Sequence, residues 1–336
     1  MASGLFTREN RATTLITHIG IFMLGLIFLY YGAEGLVKGS SRLATSLGIK
    51  PIIVGLTVVA FGTSAPEFVV CLMATLIKSQ DIATGNIIGS NIANIALVLG
   101  LAAVISPLRV ELNILRREVP VTIFASAVLF LMAVDSIINF IDGAILFTGI
   151  VLFTLYLAIV SLRDLKADQK KAEKLHSRSE NRGSMAWNGL LTILGLVGLV
   201  LGARLVVQAA VAIAIEIGID ELTVGLTVVA LGTSLPELAT CIVAAYRKEA
   251  DIIIGNVLGS NLFNVLFVVG LLSMISPLGV EKGTLTFEFP IMLFFSIVLL
   301  PLMRTGLIIS RREGALLVIG YAIFIALLFN RHGGGP

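Results

Sequence analysis

Two glutamates, Glu67 and Glu237, stand in strongly apolar parts of this 336-residue chain, each preceded by a Gly-Thr-Ser triplet and a proline. Their surroundings repeat, because VGLTVVAFGTSAPE, which ends at Glu67, recurs 170 residues later as VGLTVVALGTSLPE. A carboxylate inside hydrocarbon is costly and usually marks a functional site. Carboxylates, hydroxyls and backbone carbonyls together suit hard cations such as Ca²⁺ and Na⁺, whereas softer metals favour His or Cys. A buried structural carboxylate, protonated or paired with a basic residue, is the competing interpretation, but neither segment contains Lys or Arg.

The residues before each glutamate are expected to break its helix. Glycine and proline weaken the backbone hydrogen-bond ladder. Irregular backbone at membrane depth is tolerated only where it is buried in protein or lines a cavity. The expected breaks are at Gly62, Thr63, Ser64 and Pro66, and at their counterparts Gly232, Thr233, Ser234 and Pro236.

A second motif repeats at the same offset, with GNIIGSNIAN (Gly85–Asn94) recurring as GNVLGSNLFN. Its small residues allow close approach of helices. Ser90 and Asn94 are four residues apart and share a helix face, as do Ser260 and Asn264. We expect these helices to bring neutral oxygens to the glutamates, and hydrogen bonding between helices is an alternative role for the same side chains.

Composition indicates an integral membrane protein. Apolar residues make up 57% of the chain, charged residues only 13%, and the mean hydropathy is +1.01, whereas soluble domains carry about 25% charged residues. The net charge of +3 and the lack of a basic patch with interleaved aromatics argue against nucleic-acid binding. No GxxxxGK[ST] loop is present, so ATP-driven pumping has no support, and neither an enzyme nor a cofactor is expected. Cys71 and Cys241 lie in apolar segments and predict neither a disulfide nor a metal site.

Ten segments are long and apolar enough to cross a bilayer, which takes about 20 residues of helix. The predicted spans are 17–38, 51–77, 82–105, 119–134, 137–162, 187–213, 222–246, 252–275, 289–303 and 306–330. The first is not interpreted as a cleaved signal peptide, because 187–213 carries the same Gly-Ala step at the same offset.

The polar stretch 163–186 divides the chain into two halves of five spans. Across residues 51–108 and 221–278, 30 of 58 aligned positions are identical. The predicted organisation is an N-terminal extension 1–16, a first repeat 17–162, a charged cytoplasmic linker 163–186, a second repeat 187–330 and a C-terminal tail 331–336. The predicted fold class is therefore an all-α membrane protein with broken core helices.

An odd number of spans per repeat has a geometric consequence, since the second repeat must enter the membrane from the opposite side. Two inverted five-helix repeats of this kind are typical of secondary transporters. With the linker in the cytoplasm, both termini lie outside and the inner loops hold 18 of the 24 Lys and Arg residues. This agrees with the positive-inside rule and favours ten spans.

The paired motifs GTSAPE with GSNIAN, and GTSLPE with GSNLFN, resemble the two alpha-repeats of the sodium/calcium exchanger family, within the cation/Ca²⁺ antiporters. The resemblance covers essentially the whole chain and implies an antiporter that moves Ca²⁺ outward against inward Na⁺ by alternating access. It implies Glu67 and Glu237 as central ligands. The further ligands it implies are oxygens of Thr63, Thr233, Ser64 and Ser234, the carbonyls of Ala60 and Ala230, Ser90 and Ser260 at flanking Na⁺ sites, and Asn94 and Asn264 in the middle.

One position departs from part of the family, because potassium-dependent relatives and some microbial exchangers resemble this pattern but carry Asp where Asn264 stands. Two carboxylates instead of three predict K⁺-independent transport. An H⁺/Ca²⁺ antiporter is the alternative, although proton-coupled relatives carry a Glu that Gly85-Asn86 and Gly255-Asn256 lack. A cation channel or sensor is a further alternative.

The partners implied are Ca²⁺ and Na⁺ as substrates and the lipid bilayer, with no nucleotide and no required oligomer. The short linker lacks the large regulatory insert of animal exchangers, which favours a prokaryotic cytoplasmic membrane. We expect the glycine-rich first span of each half, 17–38 and 187–213, to be the moving part.

Overall fold

Helices dominate the structure, a computed structural model that describes residues 2–172, 182–216 and 230–332. The described residues 2–172 of the first half form nine α-helices, namely α1 Ala2–Leu47, α2 Pro51–Val54, α3 Ala60–Thr63, α4 Ala65–Leu76, α5 Gln80–Ala93, α6 Gly100–Ile105, α7 Leu112–Arg116, α8 Glu118–Met132 and α9 Phe140–Ala172. Turns of π-helix at Gly55–Val59 and Asn94–Leu99 and a 3₁₀ turn at Ala133–Asp135 interrupt this series.

The described part of the second half follows the same order. Its helices are α10 Arg182–Glu216, α11 Ala230–Thr233, α12 Leu235–Tyr246, α13 Ala250–Leu262, α14 Gly270–Ile275, α15 Lys282–Thr286, α16 Glu288–Arg304 and α17 Arg311–His332. A π-helical turn at Phe263–Val269 joins α13 to α14. It stands where the first half has the turn at Asn94–Leu99, so the two halves share this irregularity.

The membrane character predicted from composition is confirmed. The described residues contain eight continuous helical segments that are long and apolar enough to cross a bilayer, several of them made of consecutive elements such as Ile82–Ile105, and a ninth crossing is made if the bent pair Pro51–Thr63 and Ala65–Leu76 is one span. The predicted span 222–246 lies partly outside the described residues, which include its portions Ala230–Thr233 and Leu235–Tyr246. The chain is thus an all-helical, multi-span membrane protein.

Several helices extend beyond the predicted spans. Helix α1 begins at Ala2, inside the predicted extension 1–16, and α17 runs to His332. Helices α9 and α10 enter the predicted linker from its two ends, while residues 173–181 lie outside the described part. Apolarity marks only the portion of a helix within lipid, and a helix continues into water until its sequence favours another conformation.

Helices α1 and α10 pack closely and antiparallel. Near one end Gly25 lies against Val206, and near the other Gly39 lies against Thr192. A Cβ added at Gly39 would lie 2.6 Å from the backbone nitrogen of Thr192, so the small residue permits this approach of the two backbones.

Two short antiparallel ribbons join the halves. Strand β1 (Leu108–Arg109) pairs with β4 (Ile308–Ile309), and β2 (Ile137–Ile138) pairs with β3 (Leu278–Gly279). In the sequence repeat β1 is equivalent to β3, and β2 to β4. Both ribbons therefore pair the same two positions of the repeat, but the half that supplies each position is exchanged between them.

Candidate cation-binding site

Each glutamate lies in the first turn of a helix that begins just after a break. Ser64 (φ −82°, ψ 4°) separates α3 from α4, and Ser234 (φ −86°, ψ 6°) separates α11 from α12. The prolines in these first turns lack only an N–H that has no helical partner there. The first broken segment bends by 43°. The predicted breaks are confirmed, and they place Glu67 and Glu237 at helix N-termini, where the helix dipole favours negative charge.

The two carboxylates are bound reciprocally by serines of the opposite half. Both glutamates are fully buried. The Ser64 hydroxyl donates to Glu237 Oε1 at 2.9 Å, and the Ser234 hydroxyl donates to Glu67 Oε1 at 3.4 Å. Among the described residues the ion pairs involve neither glutamate, so a structural pairing with a basic side chain is not observed there.

The threonines of the two Gly-Thr-Ser triplets contact asparagines of the opposite half. Thr63 Oγ1 donates to Asn256 Oδ1 at 3.0 Å, and Thr233 Oγ1 donates to Asn86 Oδ1 at 3.2 Å. The Nδ2 groups of these two asparagines each lie 3.4 Å from a cysteine sulfur, of Cys241 and Cys71 respectively. Both thiols are buried and free, and each is a weak acceptor that helps to orient an amide.

The serines predicted for the flanking sites lie beside residues of the opposite half. The Ser234 hydroxyl lies 3.3 Å from Ser90 Oγ, and Thr63 Oγ1 lies 3.5 Å from Ser260 Oγ. The Ala60 carbonyl oxygen lies 3.3 Å from Thr63 Oγ1. Its counterpart Ala230 is the first residue of α11. The serines predicted for flanking sites thus lie beside the residues of the broken helices.

Asn94 and Asn264, both fully buried, meet asparagines where α5 crosses α13. Asn94 Nδ2 donates to Asn261 Oδ1 at 3.1 Å, and Asn264 Nδ2 donates to Asn91 Oδ1 at 3.3 Å. The side-chain amino group of each predicted asparagine therefore donates to the other half, and its side-chain oxygen takes no part in that contact.

Four acceptor atoms here are buried without a hydrogen-bond partner: Glu67 Oε2, Glu237 Oε2, Asn94 Oδ1 and Asn264 Oδ1. Leaving a buried acceptor unpaired costs about 1–3 kcal/mol. A dehydrated hard cation would satisfy such oxygens. Within the described residues no cluster of three or more His, Cys, Asp or Glu exists, so a cation at this place would depend on the neutral oxygens as well as on the two carboxylates.

Four contact residues were missed by sequence reasoning. Asn86, Asn91, Asn256 and Asn261 all bond to residues of the predicted set. A signal existed, because the GN and SN pairs recur in both copies of the second motif. Which partner each amide meets depends on how α5 and α13 cross, and spacing along one helix carries no such information.

Comparison with known proteins now decides the family. A family model described as sodium/calcium exchanger protein matches residues 17–163 and 187–330. The chain belongs to this family. Its members are antiporters and not enzymes, as the sequence predicted.

Similar proteins align along nearly the whole chain. Inner membrane protein YrbG of Escherichia coli is 36% identical, with 92% of this chain and 96% of YrbG aligned. The sodium/calcium exchanger MaX1 of Methanosarcina acetivorans is 32% identical, with 92% and 97% aligned. A solved structure of the sodium-calcium exchanger NCX_Mj, soaked with zero Na⁺ and Ca²⁺, superposes with a TM-score of 0.80 at 34% identity, covering 94% of this chain and 99% of that one.

Proposed function

We propose that this exchanger carries Ca²⁺ out of the cell in exchange for Na⁺ by alternating access to the site between Glu67 and Glu237. The observation that carries the proposal is the set of four buried, unpartnered acceptor oxygens contributed equally by the two halves. The sodium/calcium exchange named for MaX1 and NCX_Mj supports the choice of ions.

The proposed ligands are the oxygens predicted from the sequence. Glu67 and Glu237 bind both kinds of ion at the centre. Further oxygens come from Thr63, Thr233, Ser64, Ser234, Ser90, Ser260, Asn94 and Asn264 and from the carbonyls of Ala60 and Ala230. A serine hydroxyl that donates its proton to a carboxylate keeps its own lone pairs, and these remain available to bind a cation.

Electrostatics explains why such a site exchanges ions. Two carboxylates neutralise one Ca²⁺ or a comparable set of Na⁺ ions, and both kinds together leave excess positive charge in a medium of low dielectric. An empty site holds two uncompensated buried carboxylates, which is also costly. Reorientation is therefore favoured with one kind of ion bound and disfavoured with none or with both.

The proposed architecture has ten spans in two inverted repeats, 17–162 and 187–330, flanked by the extension 1–16 and the tail 331–336. Two observations support it. Helix α10 runs antiparallel to α1, its counterpart in the repeat. The ribbons β1–β4 and β2–β3 exchange the roles of the two halves, as a twofold axis between inverted repeats requires.

The proposed orientation places the linker 163–186 in the cytoplasm and both termini outside. It rests on the distribution of Lys and Arg among the loops. Contacts between loops agree with it, since Lys50 lies 2.9 Å from Glu111 and both residues belong to loops assigned to the cytoplasmic side. YrbG is an inner membrane protein, and we assign this chain to the cytoplasmic membrane as well.

The proposed moving part is the pair α1 and α10. Glycines of each helix bring its backbone against the backbone and side chains of the other, and this close packing favours movement of the pair as one body. Exposed leucine and isoleucine side chains, including Leu24, Ile27, Ile193 and Leu194, cover faces of this pair that would contact lipid. Lipid offers little resistance to a sliding helix surface, whereas the buried polar contacts hold the core together.

Ca²⁺ uptake into proteoliposomes tests the proposal, with an outward gradient of Na⁺, H⁺ or K⁺ applied in turn. Uptake driven by Na⁺ alone is expected, and it should be lost in Glu67→Gln and in Glu237→Gln. Uptake driven by H⁺ in the absence of Na⁺ would assign the chain to H⁺/Ca²⁺ exchange instead. Ca²⁺ flux that needs no counter-ion would indicate a channel and overturn antiport.

A further inference from the structure

We propose that Asn91 and Asn261 are positioning residues that fix the amide orientation of Asn94 and Asn264, so that both present an oxygen and not an amino group to the transported cation. The inference rests on the proposed function of the site. It assigns a role to two buried side chains, each at most 1% exposed, that supply none of the proposed ligand oxygens.

A first chain of amides fixes Asn94. Asn261 Nδ2 donates to the backbone oxygen of Asn91 at 3.3 Å, and Asn261 Oδ1 accepts from Asn94 Nδ2 at 3.1 Å. The backbone oxygen can only accept, so the amino group of Asn261 must face it. The oxygen of Asn261 then faces Asn94, which must offer its own amino group. Asn94 Oδ1 is thereby turned away from Asn261.

A second chain fixes Asn264. Asn91 Nδ2 lies 3.7 Å from the sulfur of Met292, and Asn91 Oδ1 accepts from Asn264 Nδ2 at 3.3 Å. A thioether has no proton to donate, so it too selects the amino group of Asn91. Asn264 must then donate to Asn91 and turn its oxygen away.

The two chains meet at Asn91, which contributes its backbone oxygen to one and its side chain to the other. Turning over any single amide would bring two oxygens or two amino groups together in a buried place. A buried polar group left without a partner costs about 1–3 kcal/mol. The orientation that the network selects leaves Asn94 Oδ1 and Asn264 Oδ1 buried and unpartnered, as cation ligands need.

The acceptors that orient the two chains, the backbone oxygen of Asn91 and the sulfur of Met292, differ in strength. A backbone carbonyl is a good acceptor and a thioether sulfur is a weak one. Asn94 should therefore be held more firmly than Asn264. Removing Asn261 should weaken cation binding more than Met292→Leu, a substitution that keeps the side-chain volume and removes only the weaker acceptor.

The test is a double-mutant cycle on Ca²⁺ binding, measured by calorimetry with purified protein in detergent. Asn261→Leu should lower the Ca²⁺ affinity by about tenfold to a hundredfold, as loss of an orienting partner does at other metal sites. Aspartate has two equivalent oxygens and needs no orientation. In an Asn94→Asp background the same Asn261→Leu change should therefore cause no loss of affinity.

A purely structural role for Asn261 predicts equal losses in both backgrounds, and that result would overturn the inference. Met292→Leu, tested alone and with Asn264→Asp, repeats the cycle with a milder change that should preserve folding. Unchanged Ca²⁺ affinity in Asn261→Leu, while Glu67→Gln abolishes binding, would overturn the positioning role and leave the proposed site intact. Equal binding by wild type and Glu67→Gln would instead overturn the site itself, and the inference with it.

Discussion

Ser64 donates to Glu237 at 2.9 Å, whereas the equivalent bond from Ser234 to Glu67 is 3.4 Å long. The two halves thus hold each other's carboxylates, but not equally. Hydrogen bonds to charged groups contribute about 1.5–3 kcal/mol and weaken with distance. The two contacts therefore differ in geometry, although the two motifs are nearly identical in sequence.

This asymmetry predicts the effects of two matched substitutions. Ser64→Ala should lower the thermal unfolding temperature in ion-free buffer more than Ser234→Ala, because it removes the shorter bond to a buried carboxylate. Scanning calorimetry or a thiol-reactive dye in detergent measures both variants. A larger loss in Ser234→Ala would show that the difference in length has no energetic meaning.

A second prediction concerns Asn256 and Asn86, which accept from Thr63 and Thr233. Asn256→Leu removes the nearest acceptor of the Thr63 hydroxyl in the other half, and we expect the Na⁺ affinity to fall by about tenfold. Asn86→Leu is the matched change on the other side. The Na⁺ concentration that half-inhibits Ca²⁺ uptake is the measurement, and Cys241→Ala, which removes only the weak sulfur acceptor of Asn256 and keeps its bond to Thr63, should cause a smaller loss. Unchanged Na⁺ affinity in Asn256→Leu, or an equal loss in Cys241→Ala, would contradict this role.

The broken helices were predictable and the amide network was not. Gly62 and Pro66 act on their own backbone, so their effect can be read from the local sequence. Asn91 and Asn261 act through a crossing of two helices, and which atoms meet there depends on the depth and angle of the crossing. The repeat showed only that these residues occur twice.

The ends of the helices were also beyond prediction, for a different reason. Hydropathy predicted a span at 137–162, yet the helix continues to Ala172. Hydropathy indicates where a helix leaves the lipid. The residue at which the helix ends depends instead on capping and on hydration of its backbone. The spacing of Asn264 from Ser260 predicted only that both lie on one helix face; the contact of Asn264 with Asn91 in the other half is given by the structure alone.

A third prediction follows from the presence of amides at both middle positions. Wild-type Ca²⁺ uptake should proceed at the same rate with K⁺ or choline on the Ca²⁺ side. Asn264→Asp adds a third carboxylate, which favours binding of a further monovalent cation, so K⁺ should now stimulate uptake. Asn94→Asp is the matched variant in the other half. A requirement for K⁺ in the wild type would refute K⁺-independent exchange.

A fourth prediction tests the close packing of α1 and α10. A Cβ at Gly195 would lie 2.3 Å from the backbone nitrogen of Leu36, so Gly195→Ala must push the helices apart. Overpacking of this kind costs about 1–3 kcal/mol. Thermal unfolding should occur at a lower temperature than in the control Gly20→Ala, whose added carbon meets no described atom within 4 Å. Equal unfolding temperatures would contradict the packing.

The last prediction asks whether α1 moves relative to the core. Glu34 on α1 contacts both Lys38 and Arg247, and Arg247 directly follows the core helix α12. A bifunctional maleimide linking cysteines at positions 34 and 247 should stop exchange, because it ties the moving pair to a helix that carries a proposed ligand.

A matched crosslink within the core provides the control. Arg109 and Ile308 are directly paired in the ribbon β1–β4, and cysteines at these positions join two loops that we expect to stay fixed. Their crosslinking should leave Na⁺-driven Ca²⁺ uptake intact. Full exchange with positions 34 and 247 crosslinked would rule out sliding of α1. Loss of exchange in the control would mean that the ribbon itself opens during transport, because the loops it joins belong to different halves of the molecule.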